Sequence, residues 1–157
     1  MISALRGLIL FVLAMLGQWW WNTHFSYWGA APQFLLALTV LIAARRGPVA
    51  GMLIGFGWGL YLDVARAELF GASALVLTLA AYFVGVARRQ IDLRAVGPLA
   101  ATTFLFTYAA FLGHGLLGLV FTKSFESPGW MPLLLTPVLN AVAVTVAAVV
   151  WDARGER

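Results

Sequence analysis

The stretch GPVAGMLIGFGWGLYLD, residues 47–63, decides the fold of this chain. Gly47, Gly51, Gly55 and Gly59 stand four residues apart, and the next residue in the series is Asp63. Each step of four advances a helix by about 400°, so the bare stripe winds as a shallow diagonal, drifting by about 40° per step. Such a face lets another helix backbone approach closely in a membrane, where lipid supplies little hydrophobic drive for helices to associate. A carboxylate at its end is costly unless it finds a partner or reaches water. The segment predicts a membrane helix whose purpose is close contact with other helices.

Composition extends that reading to the whole chain. Of 157 residues, 62% are hydrophobic and 10% charged, far fewer charges than the quarter or so of a water-soluble domain. Long apolar runs with few charges mark transmembrane helices. The net charge of +4 is no sign of nucleic acid, because the basic residues sit in short gaps between apolar runs, where they set topology. With no cysteine, disulfides, thiolate metal sites and cysteine nucleophiles are excluded. The start, MISALRGLILFVLAMLGQWWW, resembles a signal peptide, but tryptophans follow it in place of a small-residue cleavage site, so it reads as a retained first helix.

Six apolar segments follow, at about residues 5–21, 28–44, 48–64, 70–87, 96–120 and 130–151, each near the length a spanning helix needs. The second reaches that length only by including Trp28 and the small residues after it. With the N-terminus inside, the cytoplasmic loops and ends carry Arg6, Arg45, Arg46, Arg88, Arg89, Arg94, Arg154 and Arg157, against Arg66 and Lys123 outside. That asymmetry predicts six helices with both termini cytoplasmic. Trp19, Trp20, Trp21, Trp28 and Trp130 fall at the outer boundary and Trp151 at the inner one, as an anchoring belt would; the triple tryptophan could also dock a partner. No loop is long enough for a separate domain. The expected architecture is all-α: one polytopic membrane domain over residues 1–157, a six-transmembrane-helix bundle.

Several polar residues stand out by depth. Asp63 lies about 24 Å along helix 3 from Gly47, near the outer edge of the hydrocarbon. It is either an interfacial acid pairing with Arg66 or a carboxylate carried by the glycine stripe to a packed face. His114, in helix 5, falls at a similar depth, as a hydrogen-bonded structural histidine or as half of a pH-sensitive pair with Asp63. Asn140, three residues after Pro137 and close to mid-membrane, can satisfy a carbonyl the proline frees or reach across to another helix. His24 and Glu68 fall in external loops, and TKSFES (Thr122–Ser127) is too short to form a pocket. There is no phosphate loop, no metal-binding histidine pair and no nucleophile–base arrangement. The residues expected to carry function are therefore helix-packing or partner-binding ones: Gly47, Gly51, Gly55, Gly59, Asp63 and Asn140. No enzyme activity, cofactor or metal is expected.

The order of these pieces resembles the MreD family of rod shape-determining membrane proteins. The resemblance lies in Pro32 before an aliphatic run, Arg45–Pro48, Gly51–Phe56, Gly59-Leu60-Tyr61-Leu62-Asp63, Phe70–Leu75, Tyr82–Gly85 and Pro137–Asn140. The motifs are mostly glycine and aliphatics, so their order and spacing carry the weight. One departure is the uncharged Gln33, where the family often has Asp. The resemblance implies a non-enzymatic part of the cell-elongation machinery in the bacterial cytoplasmic membrane. It also implies partnership with the bitopic protein MreC, and through it with MreB, RodA and a class-B penicillin-binding protein in peptidoglycan synthesis. Membrane lipid is the remaining expected partner, and nucleic acid is not one. The alternative is a substrate-binding membrane subunit of an energy-coupling-factor vitamin transporter, a fold the MreD family looks similar to. That reading would draw a pocket from Asp63, His114, Gln18, Gln33 and the first external loop.

Overall fold

A computed structural model describes residues 2–24, 30–66, 69–123 and 128–155. Among these, six α-helices and no strand occur: α1 (Ile2–His24), α2 (Phe34–Arg46), α3 (Pro48–Arg66), α4 (Ala72–Ala87), α5 (Val96–Thr122) and α6 (Trp130–Gly155). Trp28, Glu68, residues 124–127 and Arg157 lie outside the described residues. Three helices are long and apolar enough to cross a membrane, over Pro48–Ala65, Val96–Thr122 and Trp130–Asp152. The helix of Ala72–Ala87 is apolar but shorter.

The largest difference from the sequence reading is α2, which begins at Phe34 instead of near residue 28 and runs for 13 residues. At 1.5 Å per residue that is about 20 Å, well short of a hydrocarbon core of about 30 Å. Its sequence explains its place. FLLALTVLIAA is apolar on every face, and a helix apolar all round belongs in a core. All ten residues from Leu35 to Ala44 are buried, and α2 touches each of the other five helices. The chain entering it, Ala30 to Gln33, is non-helical and lies against protein, with Ala30 and Pro32 buried. Irregular backbone at membrane depth is tolerated in such a setting, where its polar groups find protein partners. The indole N–H of Trp21 donates to the Ala30 carbonyl at 3.3 Å.

Around α2 the other helices pack in pairs, α3 against α4 and α5 against α6. α1 joins mainly through α2, with Ala14 buried and the Phe34 ring beside Gly17. The main core runs through Leu35, Val40 and Leu41 of α2, Val84 of α4, Leu99 of α5 and Val144 of α6. Leu93, in the turn between α4 and α5, closes one end of this core. Threonines inside the helices return their hydroxyls to the carbonyl four residues back: Thr39 to Leu35 at 2.7 Å, Thr78 to Ala74 at 2.6 Å and Thr145 to Ala141 at 2.8 Å. This local bond satisfies the hydroxyl without a partner on another helix.

Candidate functional site

The glycine stripe of α3 is filled by the protein's own helices. A Cβ on Gly51 would come within 2.6 Å of the Ala43 Cβ on α2 and 3.2 Å of the Ala81 Cβ on α4. A Cβ on Gly55 would meet the Leu77 carbonyl oxygen at 2.9 Å and the Thr39 methyl at 3.1 Å. At Gly59 it would fall on the backbone of Ala74 and lie 2.7 Å from the Ser73 carbonyl carbon. Gly85 of α4 reciprocates, its missing Cβ making room for the backbone of Pro48. The contacts 51 to 81, 55 to 77, 59 to 74 and 48 to 85 define one antiparallel register along the whole of α3 and α4. Gly47 stands apart from this series. It is the turn between α2 and α3, with φ +101°, so its glycine answers a left-handed backbone conformation and not a helix face. Gly57, on the opposite side of α3, is exposed and a Cβ there would touch nothing within 4 Å.

Asp63 ends the stripe and begins the next helix. Its side chain is buried, at 4% exposure. One carboxylate oxygen accepts the backbone N–H of Ser73 at 2.8 Å, and the other accepts those of Gly71 at 3.0 Å and Ala74 at 3.1 Å. These are the otherwise orphaned donors at the start of α4, where the helix dipole is positive. Gly71, with φ +96°, turns the chain so that the three N–H groups converge on one side chain. Of the two readings of Asp63, the structure has the packed one. The pairing with Arg66 falls on a side chain outside the description.

His114 belongs to the same level. Its Nδ1 lies 2.9 Å from the Ala110 carbonyl, which can only accept, so Nδ1 carries the proton. Nε2 is then free to accept the Ser73 hydroxyl at 3.3 Å. Ser73 thereby bonds Asp63 through its N–H and His114 through its hydroxyl, linking α3, α4 and α5. Asp63 and His114 are neighbours through this serine.

Asn140 makes the second polar centre. It is fully buried, and its amide oxygen accepts the backbone N–H of Gln33 at 2.6 Å. A backbone N–H requires an oxygen opposite it, which fixes the orientation of the amide. The amide nitrogen donates to the Thr107 hydroxyl at 3.0 Å, and that hydroxyl donates on to the Thr103 carbonyl at 2.8 Å. The chain of bonds runs from α2 through α6 to α5. Of the two roles open to Asn140, it takes the one that reaches across: it ties the chain at the start of the short helix α2 to α6. Gln33 contributes its backbone N–H here, so this bond does not depend on the side chain at that position.

At the other end of α2, Arg45 pairs with Asp152 of α6 at 2.7 Å. The offset between α2 and α6 is 107 residues at this pair and at Gln33–Asn140, so the two helices run parallel and in step. Beside them the Arg46 guanidinium lies 5.4 Å from the centroid of the Trp151 ring. Arg88 completes this end, with a guanidinium nitrogen 3.2 Å from where a Cβ on Gly47 would be.

Sequence reasoning passed over Thr103 and Thr107 and gave Gly71, Ser73 and Gly85 no individual weight. A usable signal existed for the threonines. Thr103, Thr107 and His114 follow one another at four and seven residues, the spacing of a single helix face. No comparable local pattern marks Ser73, whose role depends on which helix lies opposite.

Taken together, the polar groups of the bundle join helices to one another. The fold and its two polar centres define an all-helical membrane protein organised around helix–helix contact. The profile of the family described as rod shape-determining protein MreD matches residues 1–150. The chain belongs to the MreD family, and rod shape determination is the role that membership implies. No curated protein and no solved structure shows significant similarity to it.

Proposed function

We propose that the protein is a non-enzymatic scaffold of the rod-shape machinery, spanning the bacterial cytoplasmic membrane six times with both termini in the cytoplasm. It docks the transmembrane helix of a partner such as MreC and through it supports lateral peptidoglycan synthesis with RodA, a class-B penicillin-binding protein and MreB. One observation carries the scaffold reading: Asp63, Asn140 and His114 are all engaged with the protein's own backbone or hydroxyls. A vitamin-binding subunit would need Asp63, His114, Gln18 and Gln33 to converge on a ligand. Instead the Asp63 oxygens bind the start of α4 and the Gln33 N–H is bound by Asn140.

The stripe of Gly51, Gly55 and Gly59 is occupied from within, so docking falls on another face. Val49, Leu53, Phe56 and Val64 of α3 are exposed apolar residues on the side of the helix that carries Gly57. Gly57 is the small residue there, and an incoming helix can approach the α3 backbone most closely at that point. The test is purification of the intact protein from its own membrane in mild detergent, with Gly57→Leu alongside. A stoichiometric membrane partner is expected with the parent protein and is lost with Gly57→Leu, whose thermal midpoint stays that of the parent. A partner retained by Gly57→Leu moves docking off this face. Absence of any stoichiometric partner overturns the scaffold reading.

A further inference from the structure

Two of the six helices are shorter than a bilayer, and they meet that shortfall differently. α2, of 13 residues, is enclosed, with every residue from Leu35 to Ala44 buried. α4, of 16 residues, is not. Its outward side is a stripe of Leu75, Leu79, Tyr82, Phe83 and Val86, all exposed and spaced as a single helix face. Every residue of this stripe is large, so it offers no point where another helix backbone can approach closely. At 1.5 Å per residue α4 is about 24 Å long, and the exposed Phe70 before it extends the apolar surface to about 26 Å. Tilting the helix only shortens that reach. α6 sets the contrast: from Trp130 to Trp151 it runs about 32 Å, enough for a hydrocarbon core of about 30 Å.

Contacts between helices place the shortfall at one end. Gly85 of α4 meets Pro48, the first residue of α3, so the two helices are level at the arginine-rich end. Gly59 meets Ala74, which puts Ala72 level with Tyr61; α3 then continues to Arg66, about 7.5 Å past the start of α4. On the other flank Ser73 meets His114, and α5 continues to Thr122, about 12 Å further. α4 cannot slide to close the gap. Gly59 and Gly85 set backbone against backbone, and Asp63 holds the N–H groups at its start.

We propose that the bilayer thins along α4, by about 5 Å and in the outer leaflet, so that the partner this face fits is lipid of short apolar depth. A spanning segment too short for the hydrocarbon thins the bilayer beside it at a modest cost per ångström. The inference rests on the six-span topology. It is independent of partner docking, which falls on the Gly57 side of α3, away from α4.

The chain has no cysteine, so spin labels can be placed singly on the purified full chain: Leu75→Cys and Val86→Cys on α4, Leu134→Cys and Val150→Cys on α6, all at exposed positions. In vesicles of dioleoylphosphatidylcholine, collision with oxygen against collision with a water-soluble nickel chelate gives the depth of each label. Local thickness is the sum of the two depths and the axial separation of the pair. It is expected to be about 5 Å less along α4 than along α6, with the loss at Leu75. The difference narrows in dimyristoleoylphosphatidylcholine and widens in dierucoylphosphatidylcholine. Equal thickness along the two helices overturns the proposal. So does a difference that stays the same in all three lipids, which is tilt of the bundle alone. Labels on α4 that neither reagent reaches mean that protein covers the stripe, and they overturn a lipid partner. Where a label unfolds the protein, Leu79→Cys or Phe83→Cys takes its place on the same stripe. An impermeant thiol reagent is expected to reach Phe70→Cys and Arg89→Cys from opposite sides; reaction from one side refutes the spanning topology, a failure distinct from uniform thickness.

Discussion

Replacing Gly59 by alanine adds one methyl group at the tightest point of the α3–α4 interface. That methyl would fall on the Ala74 backbone and within 2.7 Å of the Ser73 carbonyl carbon, where ordinary carbon contacts are about 3.5–4.0 Å. Backbone cannot rotate away as a side chain does, so the two helices must separate by about 1 Å at this level. Alanine recovers about 1 kcal/mol of helix propensity relative to glycine. Against it stands overpacking, typically about 1–3 kcal/mol. The strain falls one turn from Asp63, whose bonds to the start of α4 are charge-assisted and worth about 1.5–3 kcal/mol each. Partial loss of even one makes the balance a destabilisation of about 2–4 kcal/mol. Gly57→Ala is the matched control, on the same helix with nothing within 4 Å, and is expected to be neutral or stabilising by up to about 1 kcal/mol. The assay is reversible denaturation of each purified variant in one detergent, read by helical circular dichroism. Equal stability of Gly59→Ala and Gly57→Ala would refute the close-packed register.

Asp63→Ala removes three acceptor contacts at once and is expected to cost about 3 kcal/mol or more, with hydrogen exchange rising first at Gly71, Ser73 and Ala74; Asp63→Asn, which keeps one oxygen, falls between it and the parent. Asn140→Leu preserves volume but strands the Gln33 N–H in the interior, and about 1–3 kcal/mol of lost stability is expected in the same denaturation assay. Thr107→Val breaks the next link and has a smaller effect, and the double change with Asn140→Leu is less than additive because both belong to one chain of bonds. Gly47→Ala is destabilising by about 1 kcal/mol or more through its φ of +101°, even though the Arg88 side chain beside it can move, and a lowered thermal midpoint reports it.

Much of the helical plan was legible in one dimension. The helix at residues 48–64 was expected close to its observed bounds, because a proline start and an unbroken apolar run are local signals. α2 was expected from about residue 28 but begins at Phe34, two residues after Pro32, and the chain just before it is tied to Asn140, 107 residues away. Gly47 looked like the first rung of the ladder by spacing alone, and only its backbone angle separates it from the helix. The acid, amide and imidazole were each singled out by their rarity at membrane depth. Their partners are backbone N–H groups, hydroxyls and carbonyls, which every sequence contains and which therefore leave no pattern to read.

By itself, the sequence determined that this is a helical membrane protein, where its apolar runs fall, which end is arginine-rich and that one face of α3 is bare. Those properties follow from solvation and helical period, which act on each segment alone. Only the tertiary structure decided what the bare face meets. It is filled by α2 and α4, in a register where every missing Cβ lies against another chain segment, and the carboxylate at its end starts the next helix. Contacts of that kind depend on two distant segments at once, and no local free energy encodes the pair.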